Sequence, residues 1–246
     1  MSNFMKVSVL TPTIRPNGLD IVRKSLLKQE FDSFEWLIGS KFDPEIPEAH
    51  WVKDDFEGGF WSLSRMYNKL IKEAKGEVLV SWQDNIWSDM NAVAKFYNAV
   101  SIVHSPVSGV GDQYSQLNKW GKPEISIWKD PRRNTEQSFF QTNHDAIEWN
   151  FCACPRALLF AIGGADEGLD FLGRGGDMFQ ITDRLNDIQV PFWIDQTNES
   201  LTLRHGREDY GGDEAWEKTH VLFNGKYNER KEELKSLKQW PILNYL

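Results

Sequence analysis

Apolar positions follow two alternating periods through the first half of the chain. Short apolar runs read as strands at Lys6–Leu10 (KVSVL), Glu35–Ile38 (EWLI), Val78–Trp82 (VLVSW) and Val107–Val110. Between them lie stretches with helical spacing. Leu19, Val22, Leu26 and Leu27 form a stripe within Leu19–Gln29. Leu63, Met66, Tyr67, Leu70, Ile71 and Ala74 form the fullest one, within Ser62–Ala74. Apolar residues three and four apart share one face of a helix, whereas short unbroken runs suit strands buried on both faces. Ser62 is placed to cap the second helix and Gly76 to end it. A third helix is expected to start at Ser88 or Asp89 and run through Tyr97, with Met90, Val93, Ala94 and Tyr97 on one face. Strands alternating with helices predict an α/β fold, a mostly parallel sheet flanked by helices.

The pattern loosens between Gly111 and Asn150, a polar stretch rich in Trp and charge. Long irregular stretches are usually functional loops or lids. Order returns at Arg156–Ile162, and again in a helix from Met178 to Asp187 with Met178, Ile181 and Leu185 in register. Phe192–Ile194 reads as a late strand and Asn228–Gln239 as a charged outer helix. No repeat, low-complexity tract or convincing linker divides the chain. The expectation is one domain over 1–246, with a nucleotide-binding half at 1–110, a second half completing the site at 111–205, and a helical extension at 206–246.

Composition narrows the functional classes. Of the 246 residues, 40% are hydrophobic and 26% charged, as in ordinary soluble globular proteins. The net charge of −8 argues against broad nonspecific nucleic-acid binding, which needs a basic surface. The first residues lack a signal-peptide apolar core, and no apolar run approaches the ~20 residues that span a bilayer. The two cysteines, Cys152 and Cys154, stand one residue apart, too close for an unstrained disulfide. Both are read as reduced, which predicts a cytoplasmic protein. The 11 tryptophans suit a core as well as sugar or base stacking. For Trp120, Trp128 and Trp149, packing is the preferred reading.

The segment VLVSWQDN holds the first candidate chemistry. It drives an apolar strand into Gln83, Asp84 and Asn85, flanked by Trp82 and Trp87. Asp and Asn close strands by bonding their own backbone, which is one reading. The other is a ligand site, because open α/β sheets bind ligands at the carboxyl ends of their strands. Lys129, Arg132 and Arg133 either meet phosphates or form a solvated patch. Gly58-Gly59 make a flexible turn.

Several of these stretches, in this order, resemble family 2 glycosyltransferases and their galactosyltransferase-like relatives, which have the GT-A fold. VSVLTPT resembles the family's first strand and turn, whose backbone holds the nucleotide base; Thr11, Pro12, Thr13 and nearby Arg15 are thereby candidate substrate contacts. Asn68, eight residues before Gly76, falls where the family places an Asn in its helix. VLVSWQDN stands where the family carries an Asp-x-Asp motif for a divalent cation on the donor diphosphate. The resemblance makes Asp84 a metal ligand and Trp82, Gln83 and Asn85 substrate contacts, although Gln83 and Asn85 occupy the two usual aspartate places.

IGGADEGLDFLGRGGDMFQITDRL, Ile162 to Leu185, resembles the family's segment for the acceptor and the general base. It implies Asp177 as base, with Asp166 and Glu167 as the other acids, and Gly175 and Gly176 beside the sugar. LTLRHGRE places His205 where relatives complete the metal site. His104, His144 and His220 have no such context. The resemblance therefore implies a GT-A-like enzyme, a hexosyl- or pentosyltransferase of the inverting kind. It would move sugar from a UDP-type nucleotide-sugar to an acceptor hydroxyl, with manganese or magnesium as cofactor. The acceptor is a glycan or another hydroxyl-bearing molecule; a modified DNA base is possible but disfavoured by charge. A nucleotidyltransferase and an inactive glycan-binding module are the alternatives.

Overall fold

The computed structural model describes residues 5–57, 61–115, 124–134, 136–168 and 179–203, together with 225, 228, 229, 232 and 233. Its elements are β1 (Val7–Pro12), α1 (Leu19–Leu26), β2 (Phe34–Ser40), β3 (His50–Lys53), α2 (Leu63–Glu73), β4 (Val78–Trp82), β5 (Ile86–Ser88), α3 (Ala92–Val103), β6 (Val107–Tyr114), β7 (Ser126–Trp128), β8 (Phe139–Thr142), β9 (Phe151–Pro155), α4 (Arg156–Ala161), α5 (Phe179–Asp187) and β10 (Phe192–Leu203). Asn228, Glu229, Glu232 and Glu233 are helical, within the expected C-terminal helix.

Among the described residues, ten strands form one sheet in the order β3-β2-β1-β4-β9-β6-β10-β5, with β7 on β6 and β8 on β10. The pairs β1–β2, β1–β4, β2–β3 and β6–β10 are parallel. β9 runs against both β4 and β6, so the sheet is mixed. Successive side chains of a strand point to opposite faces. Leu10, Leu79, Cys152 and Cys154 accordingly face a core shared with Met66, Leu70, Leu159, Ile181 and Leu185 of the helices. Val9, Val80, Phe151 and Ala153 face a second core with Val22, Phe96 and Val100. The result is an α/β/α sandwich, with both faces of the central strands buried.

Several boundaries differ from expectation. α2 matches closely, and the Ser62 hydroxyl caps it by accepting from Arg65 N at 3.1 Å. α3 begins later and runs to Val103; it buries Ala92, Val93, Phe96, Ala99 and Val100, while Met90 is exposed. Ser88 belongs to β5 instead of capping the helix. The stretch expected to be irregular, 111–150, carries the rest of β6 and all of β7 and β8. β9, with both free cysteines, was not expected; nor was the full twelve-residue span of β10.

Among the described residues no helix is long and apolar enough to cross a membrane.

Candidate functional site

The chain leaves β1, builds β2 and β3 to one side, and returns with β4 on the other side of β1. That reversal makes the carboxyl ends of β1 and β4 the topological switch point, where open α/β sheets leave a crevice. The two ends are tied together. Thr11 Oγ1 donates to Trp82 O at 2.7 Å and accepts from Trp36 Nε1 at 2.9 Å. Thr13 N donates to Gly39 O at 2.8 Å, so the loop after β1 stays beside β2.

Asp84 follows β4 at this switch point and is almost wholly buried. Its carboxylate is fully engaged by the loop after β1. Arg15 Nε reaches Oδ2 at 3.0 Å and Arg15 Nη2 reaches Oδ1 at 2.5 Å, a two-point fork; Thr13 Oγ1 adds a bond to Oδ2 at 2.5 Å. The Asn85 amide stands 3.5 Å from Oδ1. The backbone closes over the pair. Asn85 N donates to Gly18 O at 3.2 Å, and a side chain at Gly18 would meet Asn85 Nδ2 at 2.7 Å and the Asp84 Cβ at 2.9 Å. Asn85 takes a left-handed backbone (φ 63°), and its carbonyl accepts from Leu203 N at 3.0 Å.

The turn reading of the QDN triplet holds at Asn85. Asn85 supplies a turn, while Asp84 turns inward to meet Arg15. A divalent cation at Asp84 does not fit this arrangement. A carboxylate offers about four lone-pair sites, and four donors surround this one. The ion would displace a guanidinium and then stand beside it, two positive charges at short range in a poorly solvated place.

The other candidates separate into three groups. Gln83 N bonds Asn150 O at 3.0 Å, and Trp82 is buried with its Nε1 on Ile86 O, so both are engaged by the chain. Asn68 is buried in α2 and holds the GADE segment: Nδ2 donates to Ala165 O and Glu167 Oε1, while Oδ1 accepts from Ala165 N. Asp166 is buried as well; its N–H donates to Gln180 Oε1 at 2.5 Å and its Oδ1 accepts from Gly168 N at 2.9 Å. Gly58, Gly59, Trp120, Gly175, Gly176, Asp177, His205 and His220 lie outside the described residues.

Beneath the crevice, Tyr67 of α2 bonds Ser81 of β4, and both hydroxyls reach Trp149 O. Burial pushes the Tyr67 phenol far above its usual range, so it stays neutral. Trp149 is a core residue, as expected from packing. Arg132 is largely covered and is not a freely solvated surface charge. Its side chain is half-buried and bonds Asp130, Ser108 Oγ and Ala146 O. Arg133 pairs with Asp112 and Glu199.

One cluster was missed. His144, Asp145 and Asp183 could hold a metal ion: His144 Nε2 lies 2.9 Å from Asp145 Oδ1 and 3.0 Å from Asp183 Oδ1. A His and an Asp 39 residues apart leave no local signal, and only the His-Asp step was legible. The cluster follows β8, whose Thr142 pairs with the first residue of β10. β10 and β4 run the same way, so this cluster and Asp84 lie towards opposite ends of the strands.

Similarity to known proteins is visible in the fold. No protein-family model and no curated protein matches the sequence. Among solved structures, the chain is similar to GalNAc-T7, whose structure was determined with UDP, GalNAc and Mn2+. The TM-score is 0.62 at 14% identity, over 83% of this chain and 45% of that one. The fold is GT-A-like. At such identity the likeness concerns architecture, and this chain spans under half the length of that relative. A GT-A-like architecture agrees with the fold that the motif order implied, without singling out family 2.

Proposed function

We propose that this protein is a nucleotide-sugar-dependent glycosyltransferase that moves a hexosyl or pentosyl group from a UDP-type donor to an acceptor hydroxyl with inversion. The observation that carries the reading is the buried Thr13–Arg15–Asp84 constellation at the β1/β4 switch point of a GT-A-like sheet. In this reading Thr11, Pro12 and Thr13 border the base and ribose, and Arg15, Gln83 and Asn85 border the diphosphate. The acceptor oxygen attacks the anomeric carbon from the face opposite the diphosphate. The new C–O bond forms as the old one breaks, and UDP leaves with the bonding pair. A carboxylate must take the hydroxyl proton, and Asp177 is the first choice, ahead of Asp166 and Glu167.

Asn68 acts in this reading by holding the Ala165–Glu167 segment in place. The expected cofactor, manganese or magnesium, has the His144–Asp145–Asp183 cluster as its described candidate ligand set, and no step of the transfer is routed through it. The acceptor is a glycan or another hydroxyl-bearing molecule; the net charge of −8 weighs against DNA. The test is a panel of nucleotide-sugars with UDP release as readout. Release from at least one UDP-sugar, lost in Asp84→Ala, is expected. A folded protein that neither binds UDP nor releases it from any donor would overturn the reading. Binding without turnover would point to a glycan-binding module.

A further inference from the structure

We propose that Arg15, held in orientation by Asp84, is the cationic group that meets the donor diphosphate, so that nucleotide binding in this crevice needs no divalent cation. The inference rests on the glycosyltransferase reading and deepens it. A nucleoside diphosphate is a poor leaving group until its charge is met, and a hard cation held by carboxylates is one solution. A fixed guanidinium is another, because its planar fork matches phosphate oxygens as well as carboxylate.

Three observations point to the second solution. The carboxylate at the strand end is already bonded at both oxygens, by Arg15 and Thr13. Its two neighbours, Gln83 and Asn85, are amides, which bring no further negative charge to a cation. The pair is also graded in depth: the Asp84 side chain is 2% exposed and that of Arg15 is 15% exposed. The negative end of the pair is therefore the deeper and the positive end the shallower. A dipole fixed before the ligand arrives needs no reorganisation on binding. Gly18 permits this geometry, since a side chain there would collide with Asn85 and with the Cβ of Asp84. Asp84 is thus a positioning residue, acting through Arg15.

The test is calorimetric titration of the full chain with UDP, once in EDTA and once in manganese. Binding in EDTA with similar affinity in manganese is expected. Arg15→Ala should weaken UDP by about ten- to a hundred-fold in both conditions, the range expected from losing one or two charge-assisted bonds. Arg15→Lys should not restore it, because an ammonium is a point charge without the fork. Arg15→Ala leaves Asp84 buried without its partner and is at risk of unfolding, so Asp84→Asn provides the second variant. The amide keeps the shape and one acceptor; binding should fall by a few-fold and stay independent of manganese. UDP binding that requires manganese, and loses that requirement in Asp84→Asn, would overturn the inference while leaving the glycosyltransferase reading intact. A folded protein that binds UDP in neither condition would instead remove the reading beneath it.

Discussion

Asn68 and Ala165 bond each other twice: the amide donates to the Ala165 carbonyl at 2.9 Å and accepts from its N–H at 2.8 Å. One side chain thus satisfies both backbone groups of a wholly buried residue and hangs the GADE segment on α2. Asn68→Ala should destabilise the fold by about 1–3 kcal/mol, the cost of leaving buried polar groups unpaired. Asn68→Asp should be no better, because it sets a carboxylate against Ala165 O and Glu167. Urea denaturation checks both; a change below half a kcal/mol in Asn68→Ala would mean that water replaces the amide.

Asp130 and Arg132 should make stability fall in acid. Burial pushes the Asp130 carboxyl up, but the Arg132 guanidinium and the Gly111 and Arg132 N–H groups outweigh it and hold the carboxyl below its usual range. A carboxylate depressed in the folded state stabilises above its unfolded value, near 4, and loses that contribution as pH falls through the folded value. Melting temperature should therefore drop as pH falls below the unfolded value, near 4. Asp130→Ala should cost up to about 3 kcal/mol at neutral pH, since it removes the nearest carboxylate from a half-buried guanidinium and leaves it Glu148 at 3.6 Å as a charge partner. It should also flatten the acid limb, and an unchanged limb would locate the acid lability elsewhere.

Much of the scaffold was legible, and the losses have physical causes. β1, β2, β4, α1 and α2 are local patterns: short apolar runs and an apolar stripe on each helix. β9 escaped because FCACP is short, and its identity as a strand comes from pairing with β4 and β6 far away in sequence. β10 was read as three residues because its later part, Asp195–Leu203, is largely polar; pairing with β6 and β5 makes it a strand. In α3 the fully buried ring is Phe96, while Tyr97 is only partly buried against the same core. At the strand end, the apolar run into Asp84 points to the residue but not to what it bonds. Its partner was not legible, because an ion pair across 69 residues depends on the Gly18 turn.

Gly76→Ala should be among the costlier single-methyl changes. The residue was read as a helix stop, but α2 ends at Glu73 and Gly76 serves as a contact instead. A Cβ there would stand 2.4 Å from Ser8 N and 2.5 Å from Val7 C, both backbone atoms of a central strand that cannot retreat. The Gly76 N–H also donates to Ser8 Oγ at 2.8 Å. Overpacking of this kind costs about 1–3 kcal/mol. Thermal or chemical denaturation checks it, and a neutral result would show that β1 and the α2–β4 loop can move apart.

The last prediction separates the candidate bases. Asp166 is buried, its Oδ1 accepts from Gly168 N, and its own N–H is held by Gln180. Those bonds shape a turn, and an amide can reproduce the acceptor role of Oδ1. Asp166→Asn should therefore keep transfer within a few-fold of the parent. Asp177→Asn should lose transfer by about 100- to 10,000-fold while still binding UDP, as expected when a general base becomes an amide that cannot take the proton. The two variants, assayed on whichever UDP-sugar is turned over, give opposite patterns for the two assignments. If Asp166→Asn lost the larger factor and Asp177→Asn did not, the proton would pass to the GADE turn that Asn68 holds in place.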